Sequence, residues 1–261
     1  MPLARLVGAD RAEAIEGRIG MWPFLAEPPP EALAFFSAFA EVHSFTGSGS
    51  AEVERNLARY GGVGARVHAF RPAARMHLAE HHLRSIGSTR SLSDFEDGDR
   101  RLVRAFAPPR SGFMPQLVVQ PGSGGVAKRW SRHGFVEIMR WWRDRPAGRA
   151  VVLLGPAEEH EREYWSIAAD EVVGGIDLLD AAALLARAGA YIGNDSGISH
   201  LAGLVGGRGL ALFGPTDPEL WRPLSRCLLA LRLEPWTGAD STPSAEVVAT
   251  VCRALAAATS P

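Results

Sequence analysis

From Gln116 onward, short apolar runs leave at a glycine or proline and give way to amphipathic segments, again and again. "QLVVQ" precedes "GFVEIMRWWRD", "RAVVLLG" precedes "AEEHEREYWSIAA", and "EVVGG" precedes "LLDAAALLARAG". "AYIG" precedes "ISHLAGLVG", and "GLALFG" and "CLLALRL" lead to "SAEVVATVCRALAAA". Unbroken apolar runs of this length are strands buried on both faces, as in parallel sheets covered by helices on either side. The intervening helical patterns supply the crossovers such a sheet needs. This half predicts a doubly wound, Rossmann-like α/β domain.

The first half is α/β material with fewer strands. "PPPEALAFFSAF" reads as a helix opening on proline, "AEVHSFTG" as a strand, and "SAEVERNLARYGG" as a helix capped by Ser50 and Gly61. "ARVHAF" is a second strand and "RMHLAEHHLRSIG" a further helix. The piece "DFEDGDRRLVRAFAPPRSGFMP" is polar and proline-bearing. It sets a domain boundary near Pro108 to Gly112, dividing 1–110 from 111–261. A length of 261 residues suffices for two such domains.

A formal net charge of -1 gives no reason to expect nucleic acid as a partner. Cys227 and Cys252 form neither a disulfide framework nor a metal-ligand spacing, which fits a reducing compartment. The N-terminus lacks the apolar core of a signal peptide, and no apolar run is long enough to span a bilayer. The chain reads as cytoplasmic, with peripheral contact at the inner face of the membrane left open.

Three turns of the second half lie where a strand ends and a helix is expected to begin. Ligands bind at that edge of an open parallel sheet, because helix N-termini and free backbone N–H groups collect there. In "VVQPGSGGVAKRW", Gly122, Gly124 and Gly125 let the backbone approach a ligand, and Ser123 offers a hydroxyl. Lys128, the only lysine of the chain, supplies a point charge suited to phosphate. The loop is neither a Walker A motif nor GxGxxG, and a plain turn with an exposed lysine explains it equally. In "VVLLGPAEEHE", Glu158 is expected in a helix's first turn, where it either favours the dipole or accepts from a ribose. In "AYIGNDSGISHLAG", the Ser196 and Gly197 N–H groups would meet a pyrophosphate at a helix start. Asp195 either holds neighbouring N–H groups or grips sugar hydroxyls, and Asp195 or Ser196 also suits an N-cap.

Together, "PGSGGVAKRW", "LLGPAEE" and the long pattern "YIGNDSGISHLAG…ALFGPTDPELW" resemble glycosyltransferase family 9, the bacterial heptosyltransferases of lipopolysaccharide synthesis. The resemblance is clear from Gln116 to Trp221 and fainter in "GARVHAFRP…HLAEHHLRSIG". It implies a GT-B architecture: two Rossmann-like domains across a cleft, the N-terminal one shortened here, with a nucleotide-diphosphate sugar on the C-terminal one. It implies that Ser123, Gly124 and Lys128 meet phosphate and that Glu158 binds the ribose. Ile176 and Leu178 would flank a base such as adenine. Asn194 and Asp195 would adjoin the sugar and pyrophosphate, Ser196 and Gly197 would donate N–H bonds, and His200 would lie beneath.

The resemblance further implies an inverting transfer with no metal or other cofactor, from a donor such as ADP-heptose to a glycan or glycolipid. Family members open with a strand, a Gly-Asp turn and a helix whose acid serves as general base. Here the opening "MPLARLVGADRAEAIEG" is instead similar to the family's second strand, and Asp10 is not assigned the base's role. The alternative is therefore a non-catalytic nucleotide-sugar-binding module. "MHLAEHHL" sets His77 and His81 four apart with no evident third ligand for a metal, and Asp97-Gly98-Asp99 reads as a solvated turn.

Overall fold

Helix-start and helix-stop chemistry sets the elements of the first part of the chain in the computed structural model, which describes residues 2–61, 64–106 and 114–260. The chain divides into two units, Met1–Ser91 and Leu92–Pro261. The first holds α1 (Pro2–Leu6), α2 (Arg18–Met21), α3 (Pro30–Phe36), β1 (Val42–Ser44), α4 (Ala51–Gly61), β2 (Ala65–Val67) and α5 (Leu78–Ser85). Helix α3 opens on proline, whose missing N–H would have had no intrahelical partner there. Ser50 Oγ accepts from the Val53 N–H at 3.4 Å, so it caps α4 as expected. β1 and β2 pair in parallel, with Val42 opposite Ala65. Buried Trp22, Ala32 and Tyr60 form a small core, and Phe35 and Phe36 stand edge-on to the Trp22 ring.

The opening segment departs from the strand its resemblance implied. Alanine, leucine and arginine are good helix formers, and residues Pro2–Leu6 form α1. The helix closes with Gly8 at φ 99° and the Ala9 N–H donating to the Ala4 C=O at 3.0 Å, a Schellman closure.

The second unit starts with a 3-10 turn, Leu92–Phe95, and α6 (Arg100–Phe106). There follow β3 (Met114–Gln120), α7 (Arg132–Arg143), β4 (Arg149–Leu154), α8 (Arg162–Ala168), β5 (Glu171–Gly174) and α9 (Leu178–Arg187). The chain continues through β6 (Ala188–Asn194), α10 (Gly197–Leu204), β7 (Gly209–Phe213), α11 (Pro218–Trp221), β8 (Leu228–Arg232) and α12 (Ala245–Thr259). The six strands run parallel in the order β5-β4-β3-β6-β7-β8. Counted within this unit that is 3-2-1-4-5-6, the doubly wound Rossmann order. Every residue of β6 and β7 is buried, as their unbroken apolar character requires. Leu117 and Val119 of β3 pack with Phe135, Ile138 and Met139 of α7 and with Val251 and Leu255 of α12. The winding reverses between β3 and β6, the switch point at whose C-terminal ends open sheets of this kind bind their ligands.

The segment expected as a polar linker is instead folded onto this unit. Leu102 of α6 is fully buried, and Asp99 Oδ1 caps the helix by accepting from the Arg101 and Leu102 N–H groups at 2.8 and 3.1 Å. The Asp99 N–H donates to the Leu204 C=O at 3.0 Å, and Glu96 pairs with Arg222 at 3.1 Å. These contacts make the units part at Ser91, earlier than the expected 110/111 boundary, whose Pro108 to Gly112 lie outside the described residues. Of the Asp97-Gly98-Asp99 turn, Asp97 alone faces solvent, beside Arg226 at 3.4 Å.

Candidate functional site

At the switch point Gln120 ends β3 opposite Gly193 of β6, so the turns that follow the two strands lie side by side. Asn194 joins them. Its Nδ2 donates to the Pro121 C=O at 2.7 Å, and its Oδ1 accepts the Trp130 backbone N–H at 3.0 Å. One amide thereby holds both ends of the glycine-rich loop. The resemblance set Asn194 against the donor, but the side chain is fully buried and acts as an internal brace. The reason is local: buried backbone groups of an irregular loop need partners, and a carboxamide supplies a donor and an acceptor together.

The loop carries Lys128 on a short 3-10 turn, Val126–Lys128. Its Nζ lies 3.1 Å from Asp195 Oδ2, and the same oxygen accepts from Thr216 Oγ1 at 2.9 Å. Ser123 Oγ donates to the Asp195 C=O at 2.8 Å. An acid beside an expected anion site thus has a cationic partner. The Asp195 side chain is 8% exposed and that of Lys128 30%, so the ammonium keeps access to water while the carboxylate is nearly enclosed.

Helix α10 opens on Ser196, the N-cap, whose Oγ accepts from the Ser199 N–H at 3.3 Å and donates to Gln120 Oε1 at 2.9 Å. That hydroxyl is committed to the fold. Among the described residues, no hydrogen bond is made by the Ser196 or Gly197 N–H. A Cβ placed on Gly197 or Gly124 would meet nothing within 4 Å, and both residues are exposed. Beneath, the Tyr191 hydroxyl pairs with Ser199 Oγ at 2.9 Å, and Ser199 Oγ donates to the Asn194 C=O at 2.6 Å. Burial pushes the Tyr191 pKa well above the usual phenol range, which keeps it a neutral donor locking this turn. His200 lies one turn into α10, half-buried.

Glu158 does not begin an α-helix. The chain leaves β4 through a 3-10 turn, Pro156–Glu161, and α8 starts only at Arg162. The Glu158 Oε1 lies 2.6 Å from Arg129 Nη2, and its side chain is buried. Its Oε2 occupies space that a Cβ on Gly122 or Gly155 would invade, at 2.6 and 2.9 Å. Those glycines are there to admit the carboxylate. Beyond the neighbouring β5, Ile176 and Leu178 present exposed apolar side chains near the same sheet edge.

Three residues of this site were not singled out from sequence. Arg129 is hidden in a chain whose positive charge is nearly all arginine, and Thr216 is one hydroxyl in a polar turn. Trp236 donates from Nε1 to the Ala127 C=O at 3.1 Å, and its ring lies where a Cβ on Gly214 would come within 2.0 Å. The lysine-bearing loop is therefore clamped from the C-terminal side. The signal for Trp236 was the Gly214–Pro215 step, a close approach that glycine alone permits. In the first unit, His77 is the N-cap of α5, its Nδ1 accepting from the Ala79 N–H at 3.2 Å, and His81 bonds the Ala69 C=O at 2.7 Å. Their spacing does not make them converge, because an N-cap residue is not on the helical face.

A doubly wound parallel sheet with phosphate-compatible turns at its switch point is a Rossmann-like unit, and the structural neighbours of the chain are heptosyltransferases of the GT-B glycosyltransferase fold. The chain belongs to glycosyltransferase family 9 (heptosyltransferase), whose model matches residues 85–245. It is 33% identical over 133 residues to lipopolysaccharide heptosyltransferase 2 of Escherichia coli strain K12, covering 47% of this chain and 38% of that protein. The Salmonella typhimurium counterpart is 32% identical over the same length. The chain thus spans well under half the length of these curated relatives. The solved E. coli heptosyltransferase WaaC with ADP superposes with a TM-score of 0.61 at 21% identity, covering 88% of this chain and 80% of that one. E. coli ADP-heptose lps heptosyltransferase II gives 0.62 at 20% identity, covering 98% and 93%.

Proposed function

We propose that the second unit binds a nucleotide-diphosphate sugar, with ADP-heptose as the donor, and that the chain transfers the heptose to a glycan or glycolipid acceptor. The observation that carries this reading is the meeting of Lys128, Asp195 and the open N-terminus of α10 at the β3/β6 switch point. The diphosphate lies against the Ser196 and Gly197 N–H groups, where the helix dipole favours negative charge. Lys128 supplies an ammonium donor to the phosphates, Glu158 accepts from the ribose, and Ile176 and Leu178 flank the adenine. In support, the solved relative WaaC holds ADP in one structure and ADP-2-deoxy-2-fluoro heptose in another.

In the transfer, the acceptor hydroxyl oxygen bonds to the anomeric carbon and gives up its proton to water, as the bond from that carbon to the diphosphate oxygen breaks and the nucleoside diphosphate leaves. The charge that grows on the leaving diphosphate is met by donors already in place at Lys128 and α10, which lowers the barrier. The reaction is inverting and metal-independent in this reading. The relatives' lipopolysaccharide names support a glycolipid acceptor presented at the inner face of the cytoplasmic membrane. A binding module that only retains the donor is the alternative, and transfer of labelled heptose to a glycolipid acceptor above the hydrolysis background decides between them.

Calorimetry with ADP and ADP-heptose tests the donor site. Lys128→Ala is expected to weaken ADP about ten- to a hundredfold, the worth of a hydrogen bond to a charged group. Gly197→Ala adds a methyl that meets no protein atom, so it leaves the fold unchanged or slightly steadier while obstructing the anion. Unaltered ADP affinity in both variants, or no affinity in the parent chain, would refute the site.

A further inference from the structure

The oxygens of Asp195 are used unequally. Oδ2 takes both Lys128 Nζ at 3.1 Å and Thr216 Oγ1 at 2.9 Å, while among the described residues no hydrogen bond reaches Oδ1. Thr216 sits in the turn between β7 and α11, on an element that contributes neither Lys128 nor Asp195. The carboxylate is 8% exposed and its backbone is held twice: the N–H donates to the Leu212 C=O at 3.0 Å, and the C=O accepts from Ser123. The side-chain torsions remain to be fixed. If Lys128 were the sole partner, the carboxylate would follow the ammonium when a diphosphate attracts it. A second, uncharged donor from a different turn prevents that.

We propose that Thr216 is a positioning residue for the donor sugar. It anchors Asp195 through Oδ2, so that Lys128 can transfer its hydrogen bond to the diphosphate while Oδ1 stays aimed at the sugar hydroxyls. This rests on the donor-site reading above. Valine has the shape of threonine without the hydroxyl, so Thr216→Val removes the anchor and little else.

The test measures ADP and ADP-heptose binding by calorimetry in the parent chain, Thr216→Val, Thr216→Ser, Asp195→Ala and the Thr216→Val/Asp195→Ala double variant. Thr216→Val is expected to weaken ADP-heptose about tenfold and ADP much less, because the lost interaction serves the sugar. Thr216→Ser keeps the hydroxyl and restores the affinity. In the Asp195→Ala background Thr216→Val has no further effect, since a residue acting through another gives a non-additive cycle. Melting temperatures show whether each variant is folded, and a Thr216→Val chain that fails to fold while Thr216→Ser folds and binds normally counts against a purely positioning role. Equal loss for both ligands, additive losses, or no loss overturns the assignment and leaves the donor site standing. A parent chain that binds neither ligand overturns the donor site, and this assignment with it.

Discussion

Replacing Asn194 by alanine would show whether one buried amide holds the site together. The substitution removes the Nδ2 bond to the Pro121 C=O at 2.7 Å and the Oδ1 bond from the Trp130 N–H at 3.0 Å. Both abandoned groups are main-chain atoms of buried residues. Each costs about 1–3 kcal/mol when left without a partner, so the expected loss is about 2–6 kcal/mol. That is a large part of the roughly 5–15 kcal/mol by which domains are stable. For a unit of this size, about 3 kcal/mol lowers the melting temperature by about 6–12 °C. Circular dichroism melts and urea midpoints measure it directly. Asn194→Asp adds a sign test: it keeps the acceptor for Trp130 but sets a carboxylate oxygen against the Pro121 carbonyl. Protonation restores a donor there, so this variant should close part of its gap to the parent as pH falls from neutral toward 5. A melting point for Asn194→Ala within about 1 °C of the parent would refute the brace, since two stranded buried groups cannot cost so little.

Gly122→Ala would place its Cβ 2.5 Å from Glu158 Cδ, and the buried Glu158 has little room to yield. It should destabilise by about 1–3 kcal/mol in urea melts, whereas Gly124→Ala, in open space, should stay within about 0.5 kcal/mol. Asp170 feels burial, which raises its pKa, but the Ala150 N–H at 2.7 Å and Arg143 at 3.0 Å outweigh it and hold the carboxyl below its usual value. A depressed carboxyl pKa contributes stability that is complete above about pH 4 and lost as pH falls through the folded value. Asp170→Asn should therefore lower stability at neutral pH and flatten the acid limb, as read from urea midpoints between about pH 3 and 7.

The second unit was legible because strands buried on both faces carry their own signature. Runs such as "VVLL" and "ALF" tolerate no other environment, and the order of strands and helices then fixes a wound parallel sheet. The meeting of the first and third turns was legible too, since both follow strands on one sheet edge. What sequence concealed was pairing that depends on register. Arg129 reaches Glu158 across two loops, and Thr216 reaches Asp195 from the end of a different strand. The short α6 was hidden because one fully buried leucine, Leu102, among arginines gives no usable period. Glu158 was misplaced because Pro156 and a 3-10 turn stand where an α-helix was expected. In the first unit the strands are three residues each, too short for alternation to fix their ends.

The identity of the cation at position 128 follows from what its partner requires. The chain uses arginine nearly everywhere, yet the group that meets Asp195 is its one lysine. A guanidinium is a planar fork that suits bidentate engagement of both carboxylate oxygens, which would hold it to Asp195 more firmly than an ammonium. An ammonium is a compact charge with three rotatable donors on a flexible stem, so it can leave one acceptor for another without reorienting a plane. With 30% of its side chain exposed, Lys128 has room for that exchange, while Asp195, held through its backbone and by Thr216, does not need to follow. The pair also keeps the site from carrying an isolated charge when no anion is bound, which limits the desolvation cost of an enclosed carboxylate. Lysine against a fixed aspartate is therefore the combination that the proposed donor site calls for, a cation held beside the place of the diphosphate and still free to turn to it.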